Sequence, residues 1–157
     1  MERVAFFYDK ILLMKLVVQR VKLASVKVNN KVIAKIGNGL LVFVGFGKND
    51  SEKNLEWFAE KIIKLRIFED SNEKMNLSIQ DIDGEILLVS QFTLYGDATQ
   101  NRPSFTESMD FENAEKFYEK FVEMVKLKYA KVQSGVFGAM MEVELINDGP
   151  VTIIVEN

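Results

Sequence analysis

The sequence predicts one α+β domain, with a largely antiparallel, barrel-like β-sheet and two main helices. Three observations lead there. Two stretches repeat apolar residues with the period of a helix buried along one face. About seven strand-like runs fill the rest, several joined by hairpin-type turns. Some of these runs are apolar on both faces, so an open single sheet would leave one face uncovered; closure into a barrel or pairing in a homodimer removes that problem.

Taken in order, residues 1–13 read MERVAFFYDKILL. Asp9 and Lys10 break the apolar run and no small-residue cleavage site follows, so this is a poor signal peptide and too short to span a membrane. A different pattern begins at Met14. Residues 1–13 are therefore set apart as an N-terminal extension, which an upstream start codon would explain, and 14–157 as a single domain; the alternative is an edge strand or short helix packed on that domain. Residues 15–28 are rich in β-branched side chains and read as one long strand, with imperfect alternation that predicts a bulge near 21–24. Asn29-Asn30 turns the chain into a hairpin partner over 31–36. After Gly37-Asn38-Gly39, the continuous apolar run 40–46 reads as a strand buried on both faces.

A helix is expected over 51–68, capped by Asp50 or Ser51, with Leu55, Phe58, Ala59, Ile62 and Ile63 on its buried face. A short strand over 75–79 and a turn at 81–84 follow. Residues 85–94 (EILLVSQFTL) form a second buried strand that ends in polar groups. The connection 95–109 is long for a structureless loop, a feature of functional segments. A second helix runs from Asp110 to about Tyr129, with Ala114, Phe117, Tyr118, Phe121, Val122 and Val125 inward and its end charges matched to the macrodipole. Strands over 132–135, 139–146 and 151–155 complete the chain.

Composition narrows the chemistry. The 157 residues contain no cysteine and no histidine. Disulfides, thiolate nucleophiles, His-ligated zinc, a Ser-His-Asp triad and an imidazole base are all excluded, and the absence of cysteine is compatible with a reducing cytosol. A net charge of −3 argues against non-specific coating of nucleic acid, while leaving room for a local grip on one RNA end.

Two stretches carry candidate chemistry. Asn147-Asp148-Gly149-Pro150 lies between two strand-like runs and reads either as a plain hairpin turn or as a rigid, side-chain-poor backbone wedge facing a ligand. Ser90-Gln91-Phe92-Thr93 places two hydroxyls, an amide and backbone N–H groups at a strand end, where they would polarise a carbonyl without a base. Phe137 sits among small residues that leave space for a flat group on its ring, or it is a core Phe at a bulge. Met140 and Met141 suit a core as well as a pocket. Arg20, mid-strand, and Arg102, in the loop, would each meet a phosphate or carboxylate, or serve a structural ion pair.

Together these segments closely resemble the D-aminoacyl-tRNA deacylases. The resemblance runs from Met14 to the C-terminus, through Val18-Gln19-Arg20-Val21, Leu65-Arg66-Ile67-Phe68, Lys74-Met75-Asn76-Leu77, Ser90-Gln91-Phe92-Thr93-Leu94, Arg102-Pro103-Ser104-Phe105, Gly135-Val136-Phe137 and Asn147-Asp148-Gly149-Pro150-Val151-Thr152. It implies hydrolysis of the ester between a D-amino acid and the terminal ribose of tRNA. It implies a cytoplasmic homodimer with no cofactor or metal, whose site lies at the subunit interface and whose partner is the aminoacylated 3′ end of tRNA. Ser90, Gln91, Phe92 and Thr93 would line the catalytic pocket. Phe137, Met141, Arg20 and Arg102 would contact the adenosine end. Gly149 and Pro150, joined by a cis bond, would reach into the partner's site as a chiral filter that also admits glycine. The tRNA's own 2′-hydroxyl would assist, with Thr93 positioning rather than attacking. Three rival readings remain at this level: a non-catalytic RNA-end binding module, an esterase using Asp97 or Asp148 as base, and a structural dimer whose 147–150 segment is a solvent-facing hairpin with a trans bond.

Overall fold

The computed structural model describes residues 13–157, so the expectations for 1–12 lie outside the described residues. Every strand of the main sheet is registered, directly or through its neighbours, to β1 (Lys15–Val28). β2 (Lys31–Ile36) returns from it as a hairpin, with Asn29 and Asn30 at φ 49° and 63°. This is the left-handed pair that a tight hairpin turn needs. β3 (Gly39–Gly45) pairs antiparallel with the first half of β1. β8 (Glu142–Val155) pairs antiparallel with β1 along nearly its whole length, opposite β3 and then β2.

The chain then adds two parallel pairings. β6 (Glu85–Ser90) lies parallel to β3, and β7 (Val132–Ser134) lies parallel to β6. Parallel neighbours need crossovers. The two helices supply them: α1 (Lys53–Lys64) between β3 and β6, and α2 (Phe111–Lys128) between β6 and β7. The sheet is thus mixed, with most pairings antiparallel as expected. It is nearly closed. The Gln133 side chain accepts from Lys35 N at 2.9 Å and donates to Lys35 O at 2.7 Å, so one side-chain amide bridges the edge strands β7 and β2 where a ladder would otherwise be.

The continuous apolar runs follow from this closure. On β3 and β6, successive side chains point to opposite faces. Leu40, Val42, Ile86 and Leu88 join the core beneath the helices, whereas Leu41, Leu87 and Val89 join a second core with Val21, Ala24 and Ile36. Both faces are dry, so no polar alternation is written into either strand.

Several boundaries differ from the expectation; the strand expected over 85–94 ends at Ser90, where the chain leaves the sheet for a 3-10 turn, and the one expected over 75–79 ends at Leu77. α1 stops at Lys64, not 68. Phe68–Glu69 instead forms β4, paired with β5 (Met75–Leu77), and Arg66 Nε donates to Asn76 O at 2.8 Å across the turn. The α1 cap position is Glu52, without a side-chain cap; Asp50 accepts from Met14 N and Gly47 N, both at 2.7 Å, and so fixes the start of β1. Burial raises the Asp50 pKa, and these hydrogen bonds oppose the rise. Lastly, 139–146 and 151–155 are not two strands about a turn. Residues 142–146 and 151–155 belong to the single strand β8, which starts at Glu142 and not at 139, and the residues between form a bulge in it. α2 meets its expectation, with Asp110 capping Asn113 N at 3.1 Å and Tyr129 at the C-cap.

Candidate active site

The parallel pair β3 and β6 ends at Val44 and Ser90, which face each other in register. Gln91 N continues the ladder to Val44 O at 2.8 Å, and the chain then coils into a 3-10 turn, Phe92–Tyr95. Gly45 allows this turn to settle on β3: a Cβ there would lie 3.0 Å from both Gln91 O and Leu94 Cβ. The first N–H groups of the turn, Phe92 and Thr93, have no partner within it.

A cavity of about 530 Å³ opens at this strand end. Ser90, Gln91 and Phe92 form one wall, Phe111 and Ala114 from the start of α2 a second, and Phe137 and Met141 from the β7–β8 link a third. An apolar concavity with a few convergent polar groups is the usual form of a small-ligand site. The Phe137 ring meets the Phe111 ring at 5.1 Å and 61°, and the Tyr118 ring at 5.8 Å. Tyr118 is buried, with its hydroxyl 3.1 Å from Leu88 O and 3.0 Å from Gly135 O, so it ties α2 to β6 and to the link that carries Phe137. Burial pushes that hydroxyl's pKa up, which keeps it protonated as a donor. Two glycines shape the aromatic wall. Gly138 adopts a φ of 76°, in the left-handed region that favours glycine. A Cβ added to it would sit 2.8 Å from Phe111 Cζ. A Cβ added to Gly135 would meet Met141 Sδ at 2.7 Å.

Of the expected residues, Ser90, Gln91, Phe92, Phe137 and Met141 converge on the cavity. Thr93 does not line it; the side chain is exposed, and its Oγ1 accepts from Gln91 Nε2. Arg102 is exposed in the loop after the 3-10 turn, outside the cavity lining. That loop closes through an Asp97–Ser104 bridge and packs Phe105 on Phe92 at 5.1 Å.

Arg20, Gly149 and Pro150 form a separate structure. On β8, Thr152 pairs with Gln19 and Asn147 with Val21, so the residues between them are extruded opposite Arg20. Asn147 closes the bulge: its Oδ1 accepts from Val151 N at 2.7 Å, and its Nδ2 lies 3.1 Å from Thr152 Oγ1. Arg20 is 6% exposed and holds the bulge from beneath, with Nε donating to Asp148 O at 2.9 Å and Nη1 to Ile67 O at 2.8 Å. Its guanidinium also lies 3.8 Å from the Glu69 and Asp148 carboxylates, so within the fold it makes ion pairs, one of its two expected roles. The Gly149–Pro150 peptide is cis, and both residues are exposed. The plain-hairpin reading of this segment is corrected, because its two flanks run on as one strand.

Neither rival base, Asp97 or Asp148, lines the cavity of its own chain. Hydrogen bonds from Thr99 hold the Asp97 carboxyl below its ordinary range, opposite to what a neutral-pH base needs. Among the described residues no group of three or more Asp and Glu side chains is placed to hold a metal ion, and no helix is long and apolar enough to cross a membrane.

The sequence reading missed Phe111, Phe105 and the anchoring role of Tyr118. A signal existed for Phe111: with Ala114 and Tyr118 it makes an i, i+3, i+7 series that continues the apolar stripe of α2 one turn beyond the core.

The fold and cavity define a class of small mixed-barrel domains with a cavity at the open end of parallel strands. A solved structure of a c-Myc DNA unwinding element binding protein superposes at TM-score 0.87 with 44% identity, covering 91% of this chain and 98% of that one. A probable eukaryotic D-amino acid tRNA deacylase shares the fold at TM-score 0.81 and 19% identity, over 92% of this chain and 99% of its own. The family model described as D-Tyr-tRNA(Tyr) deacylase matches residues 17–156. A D-aminoacyl-tRNA deacylase of Dictyoglomus turgidum is 55% identical over 144 residues, 91% of this chain and 92% of that protein; one of Thermosipho africanus is 54% identical over 145 residues, 92% and 97%. This chain belongs to the D-Tyr-tRNA(Tyr) deacylase family. The expectation of a hydrolase of this family therefore stands.

Proposed function

We propose that this protein hydrolyses the ester between a D-amino acid and the 3′-terminal ribose of tRNA, releasing both in the cytoplasm. The observation that carries the reading is the convergence of Ser90, Gln91 and Phe92 with Phe137 and Met141 on one cavity, in a chain of this family. Phe137 and Met141 offer a flat apolar surface to the terminal adenine, and stacking of a base on an aromatic ring is worth about 1–3 kcal/mol. The N–H groups of Phe92 and Thr93 polarise the ester carbonyl as an oxyanion hole. The family resemblance implies that the assisting group is the ribose 2′-hydroxyl, a donor and acceptor specific to RNA, with no metal in the reaction, and a chain without histidine or cysteine fits that reading. Thr93, held by Gln91, positions rather than attacks. Arg102, at the exposed loop, contacts the incoming RNA.

The chiral filter is the β8 bulge, acting in trans across a homodimer. Gly149 and Pro150 are exposed, outside the lining of their own chain's cavity, and present backbone rather than side chain. A wedge of that kind excludes an L side chain and admits a D side chain or glycine, which is specificity by exclusion. Phe92, Ile146 and Ile154 are large apolar side chains left exposed on the surface. Apolar surface of this kind is what a partner subunit covers. Arg20 serves the filter by holding it, not by touching adenosine.

The test is deacylation of matched D-tyrosyl-tRNA and L-tyrosyl-tRNA by purified protein, with a chelator in one arm. Loss of the D ester alone, chelator or not, is expected; equal loss of both esters would sink the filter, and loss of neither would sink the enzyme. Thr93→Ala should keep most of the rate, whereas a fall of several orders of magnitude would make Thr93 the nucleophile.

A further inference from the structure

Phe137 has a cavity on more than one side. Beyond the site already described, a second groove of about 440 Å³ runs between the outer face of α2 and the β7–β8 link, and Phe137 forms part of both walls. Val122 and the half-exposed Val136 give this groove an apolar floor, while Glu119, Glu123 and Lys126 line its rim. Resting on the reading that the first cavity takes the terminal adenosine, we propose that the second groove takes the base of the preceding nucleotide, with the Phe137 ring standing between the two.

The chemistry fits one occupant. Two cavities that share Phe137 in their linings suit consecutive bases of a single strand, because an aromatic ring stacks on any base. Glu119 and Glu123 sit at i and i+4 on one face of α2 and are both exposed. Carboxylates there accept from an exocyclic amino group, as they do from the N4 amine of cytosine, and uracil has no such donor. Lys126, one turn further on, supplies the cation for the linking phosphate. The groove therefore prefers an amino-bearing base and selects for strand context beside the ester.

The probes are unacylated adenosine and the dinucleotides CpA and UpA, titrated calorimetrically into the full chain. CpA should bind roughly tenfold tighter than adenosine, as one added stack allows, with UpA between them. Glu119→Ala with Glu123→Ala, on an exposed helix face where alanine is the best helix former, should bring CpA down to UpA while adenosine affinity and hydrolysis of a D-tyrosyl adenosine ester stay unchanged. Equal affinity for adenosine and CpA in the unaltered protein would overturn the inference, as would a CpA preference that survives the double substitution. Failure of the enzymatic reading is separate: it would show as an intact D ester whatever the dinucleotide affinities are.

Discussion

The cavity at the ends of β3 and β6 and the bulge of β8 are both breaks in a regular sheet, yet they are built in opposite ways. The cavity is concave, and its walls come from three distant parts of the chain: the end of β6, the start of α2 and the β7–β8 link. The bulge is convex, made of consecutive residues, and exposes backbone. One arrangement can hold a ligand; the other can only be pushed against one. On the function proposed above, the difference amounts to a division of labour in which binding and chemistry belong to the cavity and stereochemical exclusion to the bulge. It also explains the underpinning of each. The cavity wall is tied down by the buried Tyr118 hydroxyl, while the bulge is held by Arg20 from below and by Asn147 from within.

Substitutions that strike one region and spare the other sharpen this comparison. The largest effect is expected from Gly149→Ala. Gly149 adopts φ 141°, and an added Cβ would lie 2.8 Å from Val151 Cγ2 and 3.0 Å from Val151 N, so the bulge must shift. Since misplacement by about 1 Å can cost on the order of 10²-fold, the D-to-L rate ratio should fall by about that factor while the cavity still hydrolyses ester. An unchanged ratio would separate the bulge from chirality. Phe137→Ala should do the reverse, lowering kcat/KM for the D ester by roughly tenfold to a hundredfold, mostly through KM, with the D-to-L ratio intact. Arg20→Met should change activity least. It leaves buried carbonyls without donors, at about 1–3 kcal/mol each, so a melting curve should show a loss of several degrees together with a modest decline in the D-to-L ratio. A stable variant with full selectivity would remove Arg20 from the account.

The same contrast governs what the sequence could reveal. The bulge residues are consecutive, so Asn147-Asp148-Gly149-Pro150 stands out as a backbone device on turn chemistry alone. Their topology does not, because a turn signal does not say whether its two flanks pair with each other or, as here, both pair with β1. The polar end of β6 and the small residues around Phe137 are legible as separate hints. Their meeting is not, since it depends on the two parallel crossovers that bring α2 across the strand ends. Phe111 is hidden for a related reason: on the α2 stripe it looks like one more core position, and only the packed fold shows that the stripe runs past the core into a cavity. The α1 boundary escapes because the chain stays largely apolar over 65–68 after the helix ends, and the pairing of β4 with β5 decides its conformation.

The division between cavity and bulge is tested most directly in a mixed dimer. One chain carries Gly149→Ala and keeps its cavity; the other carries Ala139→Trp, which fills the cavity and keeps its bulge. Purified through two different tags, the mixed species has one open cavity, and the ratio of D-tyrosyl-tRNA to L-tyrosyl-tRNA hydrolysis is measured on it. If each bulge serves the partner's cavity, that ratio matches the unaltered protein. If it matches the Gly149→Ala homodimer instead, the bulge does not act across the interface and the account is contradicted.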